Sequence, residues 1–84
     1  MSNPDGRGSG PDLELDCRGR PCPLPIIELG RRHTDVDVGG TVAVVADDVA
    51  ARVDVPAWCR MRGQVFLGED AAPDGVPRYW VRRT

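Results

Sequence analysis

The chain has 84 residues, a length that suits one domain, and 40% of them are hydrophobic, enough for one small core. The formal net charge of −2 argues against a phosphate-binding face as the main feature, and the basic residues are all Arg, which excludes Schiff-base chemistry on a lysine. An odd count of three cysteines with no apolar leader argues against a disulfide scaffold, and no segment approaches the ~20 apolar residues of a membrane span, so the expected setting is the reducing cytoplasm.

Residues 1–11 are rich in Gly, Pro, Ser and Asp and read as a disordered tail, leaving 12–84 as the domain. LELDC, from Leu13 to Cys17, alternates apolar and acidic side chains, the pattern of a short half-buried strand. Gly19 permits a turn. Pro23 to about His33 reads as a helix, with Ile26, Ile27 and Gly30 on its buried face and Glu28, Arg31 and Arg32 outward. Gly30 weakens that helix by roughly 1 kcal/mol relative to Ala, which a close helix–sheet contact explains. His33 sits where a helix C-terminus favours it. Gly39-Gly40 stops the chain, and TVAVVA (Thr41–Ala46) is the apolar, β-branched run of a strand in the middle of a sheet.

Asp47 and Asp48 end that strand and offer an N-cap for the next helix. This helix is expected to kink or split at Pro56, near Asp54, and to bury Val53, Ala57 and Met61 with Trp58. Cys59 reads as core and Gly63 as the stop. Gln64–Glu69 forms a strand, Asp74-Gly75 a turn, and Arg78–Arg83 the last strand, where Tyr79 and Trp80 point to opposite faces and one of them lies exposed. The order β-α-β-α-β-β makes the first two strands parallel and the last two antiparallel. The fold class is therefore α+β: a two-layer sandwich of a mixed four-stranded sheet with both helices on one face.

Within RGRPCPLP, Cys22 lies between two prolines. Pro23 suits the first helical position, where a missing N–H costs nothing, and Pro25 still falls in the first turn. The prolines thus fix a helix start under Cys22 and leave its sulfur exposed. The helix macrodipole, with Arg18 and Arg20 close in sequence, favours the thiolate. Asp16 is read as supporting the turn ahead of the thiol. An exposed, partly ionised cysteine is a nucleophile.

Together LDCRGRPCPLPIIELGRR, VGGTVAVVADD and VPAWCRMRG resemble the TusA family of small sulfur-carrier proteins, over about Leu13 to Arg83. Cys22-Pro23-Leu24-Pro25 corresponds to the family's Cys-Pro-X-Pro signature, and Leu15-Asp16-Cys17-Arg18-Gly19 to its lead-in. Leu24 stands where tRNA-thiolation members often carry Glu, which leaves other sulfur routes open. The resemblance implies that Cys22 accepts a sulfane sulfur as a persulfide and passes it to a partner protein thiol, acting with partner enzymes. It implies a cysteine desulfurase or rhodanese-like donor, a sulfur-acceptor protein, and no resident cofactor beyond the transient sulfur. It adds docking to the roles open to Asp47 and Asp48.

Two other readings are open. Cys17 is a candidate resolving thiol, which would make the pair a redox switch. A non-catalytic RNA- or protein-binding module is the other, although no direct nucleic-acid contact is expected from so few, irregularly spaced aromatics. Metal binding is not expected, since the cysteines lack paired spacing.

Overall fold

The four strand signals become the four strands of one sheet in a computed structural model that describes residues 10–84. The expected tail falls, apart from Gly10 and Pro11, outside those residues. The strands are β1 (Leu13–Asp16), β2 (Thr41–Val45), β3 (Val65–Ala71) and β4 (Pro77–Arg82), and the helices are α1 (Leu24–Arg32) and α2 (Ala51–Arg62), with a 3₁₀ turn at His33–Asp35 after α1. The sheet order is β1-β2-β4-β3. β1 runs parallel to β2, with Leu15 beside Val44. β4 runs antiparallel to β2, with Tyr79 beside Val44, and antiparallel to β3, with a bulge between Phe66 and Gly68. This is the mixed sheet that the element order predicts.

Alternation along the strands separates two faces. Leu15, Val42, Val44, Tyr79 and Val81 join Leu29 of α1 and Ala51, Val55, Trp58 and Cys59 of α2 in one core, so both helices cover the same face. β2 is buried at every residue because it has a strand on each side. The opposite face is covered differently. Trp80 is only 8% exposed, correcting the expectation that it or Tyr79 lies open. Its Nε1 donates to Asp70 Oδ1 at 2.8 Å, and the Arg78 guanidinium lies 5.1 Å over its ring while binding Asp70 through two nitrogens. This paired layer lies beside Ala43 and Val45 of β2, both fully buried.

The helices differ from expectation in which stripe is buried. In α1 the buried residues are Pro25 and Leu29, continued by His33 beyond the helix, while Ile26 is half-buried and Ile27 is 48% exposed. At 100° per residue, Ile27 lies about 200° from Pro25, on the far side. In α2 the buried stripe is Ala51, Val55, Trp58 and Cys59, whereas Val53 and Met61 are 69% and 81% exposed. Two apolar stripes compete on this helix, and the one that buries Val55, Trp58 and Cys59 together wins. α2 also runs unbroken through Pro56. The proline forgoes its bond to the Arg52 carbonyl, a cost of about 3 kcal/mol. Burial of Val55 and Trp58 on the same helix, at roughly 1.5–3 kcal/mol for each large side chain, outweighs it.

The two helices meet at Gly30. A Cβ there would stand 3.6 Å from Trp58 Nε1 and 3.8 Å from Arg62 Nη1, so the close contact is between helices and not with the sheet. The buried His33 ring meets Trp58 edge-on at 5.0 Å. Its Nδ1 lies 3.2 and 3.0 Å from the Leu29 and Gly30 carbonyls, both acceptors, so this nitrogen carries the proton. His33 therefore caps the helix end, as expected.

Candidate functional site

Parallel strands deliver their following loops to the same edge of a sheet. The loop after β1 carries Cys17 to Pro23 and the loop after β2 carries Ala46 to Ala50, so the two lie side by side. Backbone N–H groups of the first bind carboxylates of the second. Gly19 N donates to both Asp47 oxygens, at 3.0 and 3.1 Å. Gly19 has φ +75°, which glycine adopts without cost, and a Cβ there would meet nothing within 4 Å, so the requirement is conformational. Cys22 N donates to Asp48 Oδ2 at 2.8 Å, and Asp48 Oδ1 accepts from Ala50 N at 2.9 Å. These two bonds, that from Ala50 first, hold the Asp48 carboxyl below the ordinary carboxylate value.

The N-cap expectation is corrected by this arrangement. The cap residue of α2 is Ala50, with no side-chain cap bond, and Asp48 closes the turn that leads into it. Asp47 serves the neighbouring loop, not α2. At α1, Leu24 is the first helical residue, so Pro23 is the cap (φ −101°, ψ 18°) rather than the first helical position, and Pro25 comes second. The Pro23 carbonyl accepts the first helical bond from Ile27 N at 3.0 Å while its own backbone stays outside the helix. The Cys22–Pro23 peptide is cis. Cys22 thus precedes the helix cap, and its side chain is exposed.

The charge around Cys22 is the reverse of that expected. Cys22 Sγ donates to Asp54 Oδ2 at 3.1 Å, from the first turn of α2. Arg18 is engaged elsewhere: Nε and Nη2 bind Asp74 at 2.8 and 3.2 Å, and Nη1 binds Asp16 at 2.9 Å. The Arg20 charge bears on Cys17. Asp54 therefore pushes the Cys22 thiol above its ordinary value, chiefly through the hydrogen bond, with desolvation and the charges of Asp54 and Asp48 adding to it. A helix terminus supplies about half a charge, and a full carboxylate charge at hydrogen-bond distance outweighs it. The expected bias toward thiolate is thus overturned in the free protein.

Asp16 accepts from Arg18 N at 3.2 Å and from its guanidinium, which orders the turn after β1 without touching Cys22. Cys17 is 1% exposed within the core, and burial raises its thiol. Burial likewise raises Cys59 to about 11. All three thiols are free. With Cys17 in the core and Cys22 on the surface, the geometry gives the disulfide switch no support. A shallow groove of about 540 Å³, lined by Leu67, Gly68, Glu69, Asp70, Arg78 and Trp80, does not include Cys22. Of the residues at the thiol, Asp54 is the one that sequence reasoning missed. An acidic residue in a first helical turn reads as a partner for the helix dipole, and nothing in its spacing ties it to a cysteine 32 residues earlier.

Residues 13–83 match the family model described as sulfurtransferase TusA. The chain is 36% identical over 72 residues to the sulfur carrier protein TusA of Pseudomonas syringae pv. syringae, covering 86% of this chain and 84% of that one. It is 36% identical over 75 residues to the TusA of Pseudomonas putida strain GB-1, covering 87% and 90%. A crystal structure of a SirA-like protein from Desulfitobacterium hafniense superposes with a TM-score of 0.71 at 21% identity, covering 83% of this chain and 95% of that one, which shows the shared fold. With the family match running from β1 through β4, this chain belongs to the TusA family of sulfur carriers.

Proposed function

We propose that this protein carries sulfane sulfur on Cys22 in a sulfur relay. The observation that supports this most directly is that Cys22, alone among the three thiols, is exposed, on a loop pinned by Asp47 and Asp48. The donor is a persulfide-bearing enzyme of the cysteine desulfurase or rhodanese-like kind, and the acceptor is a protein thiol. The Cys22 sulfur attacks the terminal sulfur of the donor persulfide. One S–S bond forms as the donor's breaks, the donor leaves as a thiol carrying the proton that Cys22 releases, and no outside oxidant is consumed. The Cys22 persulfide is then attacked at its terminal sulfur in the same way by the acceptor. The reaction needs no resident cofactor and no nucleic acid, and it belongs in the cytoplasm. Among the described residues no helix is long and apolar enough to cross a membrane.

The test is non-reducing intact mass with peptide mapping, after incubation with a cysteine desulfurase and cysteine, or with a rhodanese and thiosulfate. One added sulfur on the Cys22 peptide, absent from Cys22→Ala, is expected. A Cys22 that gains no sulfur from either donor rejects the proposal.

A further inference from the structure

A thiol that donates to a carboxylate is held in its less reactive form, and this one belongs to the residue assigned to attack sulfur. The charged groups that surround it come from every neighbouring segment. Asp54 on α2 touches Sγ itself, and Asp48, in the loop before α2, holds the Cys22 backbone. Asp47 is spent on Gly19 N. Glu28 of α1 lies 3.7 Å from both Arg31 and Arg32, and Arg52 of α2 is bound by Glu69. In the Cys22 loop, Arg18 is clamped by Asp16 and by Asp74 of the β3–β4 turn, and Arg20 is exposed. The group within hydrogen-bond distance of the sulfur is therefore anionic, and no guanidinium reaches it among the described contacts.

We propose that Asp54 is the proton-holding residue of the carrier, keeping the hydrogen on Cys22 while the protein is free and so reserving the thiol for a docked donor. The inference rests on Cys22 being the sulfur acceptor. Its chemical sense follows from the ladder of thiol oxidation, in which the thiolate and not the thiol is attacked by stray oxidants and electrophiles. A neutral S–H bonded to Asp54 is spared while the carrier waits. Transfer begins when the proton leaves and ends with that proton on the departing donor thiol, so Asp54 is unchanged over the cycle.

The experiment is the pH profile of Cys22 alkylation by iodoacetamide in the full chain, followed on the Cys22 peptide by mass spectrometry so that the two buried thiols do not contribute. The wild-type inflection is expected above the ordinary thiol value of 9.0. Asp54→Asn is expected to lower it. A fall of about one unit gives about tenfold more thiolate at pH 7.5, and the weaker nucleophilicity of the more acidic thiol trims the gain in rate to about threefold. Asp35→Asn, the same charge change at the far end of α1, is expected to leave the inflection in place. A wild-type inflection at or below that of an unstructured cysteine peptide overturns the proposal without recourse to any variant. So does an unmoved inflection in an Asp54→Asn protein that still unfolds cooperatively. No sulfur donor is present in this measurement, so its failure leaves sulfur uptake by Cys22 standing, and failure of uptake leaves the titration readable.

Discussion

At the scale of single residues, the position of the thiol depends on two backbone N–H groups and two adjacent carboxylates. Gly19 supplies the left-handed turn and offers its N–H to Asp47, and three residues later Cys22 offers its N–H to Asp48. Because space is open at Gly19, Gly19→Ala tests conformation alone. It is expected to cost about 1 kcal/mol in urea denaturation, the strain of placing an L side chain at positive φ. Asp48→Ala removes both the clasp on Cys22 and the bond to Ala50 N, so hydrogen exchange at the Cys22 and Ala50 amides is expected to rise together in that variant. A rise at Ala50 alone would show that the two loops are not coupled through this side chain.

At the scale of elements, α2 does two jobs with two faces. Ala51, Val55, Trp58 and Cys59 anchor it on the sheet, and Trp58 also receives Gly30 of α1, His33 just beyond it and the Arg62 guanidinium at 5.4 Å. Trp58→Ala is therefore expected to cost about 3–5 kcal/mol, a large share of what a domain this small possesses. Val53→Ser and Met61→Ser, on the stripe that sequence periodicity marked as buried, are expected to stay within about 0.5 kcal/mol of the parent in the same denaturation series. A large loss from Met61→Ser would mean that the helix sits rotated from its place here. Val49 at 83% exposure, before α2, and Leu24 and Ile27 of α1 near half exposure place further apolar side chains on the segments that flank Cys22.

At the scale of the whole molecule, titration bounds stability from both sides. Asp16, Asp48, Asp70 and Asp74 are all held below their ordinary value of 3.8: Asp16 and Asp48 first by backbone N–H groups, Asp70 by Arg78, Asp74 by Arg18. A depressed carboxylate stabilises the fold in full above its unfolded value and loses that contribution as pH falls through the folded one. Thermal unfolding is thus expected to shift down as pH drops below about 4, modestly, because these pairs are mostly exposed. The cysteines act in the opposite sense. Cys59, raised by burial to about 11, contributes fully below 9.0, and its contribution is lost as pH rises from 9.0 through 11. A melting temperature flat from pH 9 to 11 would show that Cys59 is not enclosed.

Periodicity and punctuation were enough to order the elements, pair the strands and mark Cys22 as the exposed thiol, because alternation in LELDC, the apolar run from Thr41, and the prolines around Cys22 are local properties of the chain. The family resemblance was also local, resting on contiguous motifs. What the chain could not show by itself is which of two apolar stripes each helix buries, since that depends on the shape of the sheet beneath. Nor could it show the sign of the charge at the thiol. Arg18 is close to Cys22 in sequence, yet two aspartates take it away. Asp54 is 32 residues distant, and the parallel pairing of β1 with β2 brings its helix to the sulfur. Electrostatics act through space, so only the tertiary structure decided that a carboxylate, and not a guanidinium, faces this thiol.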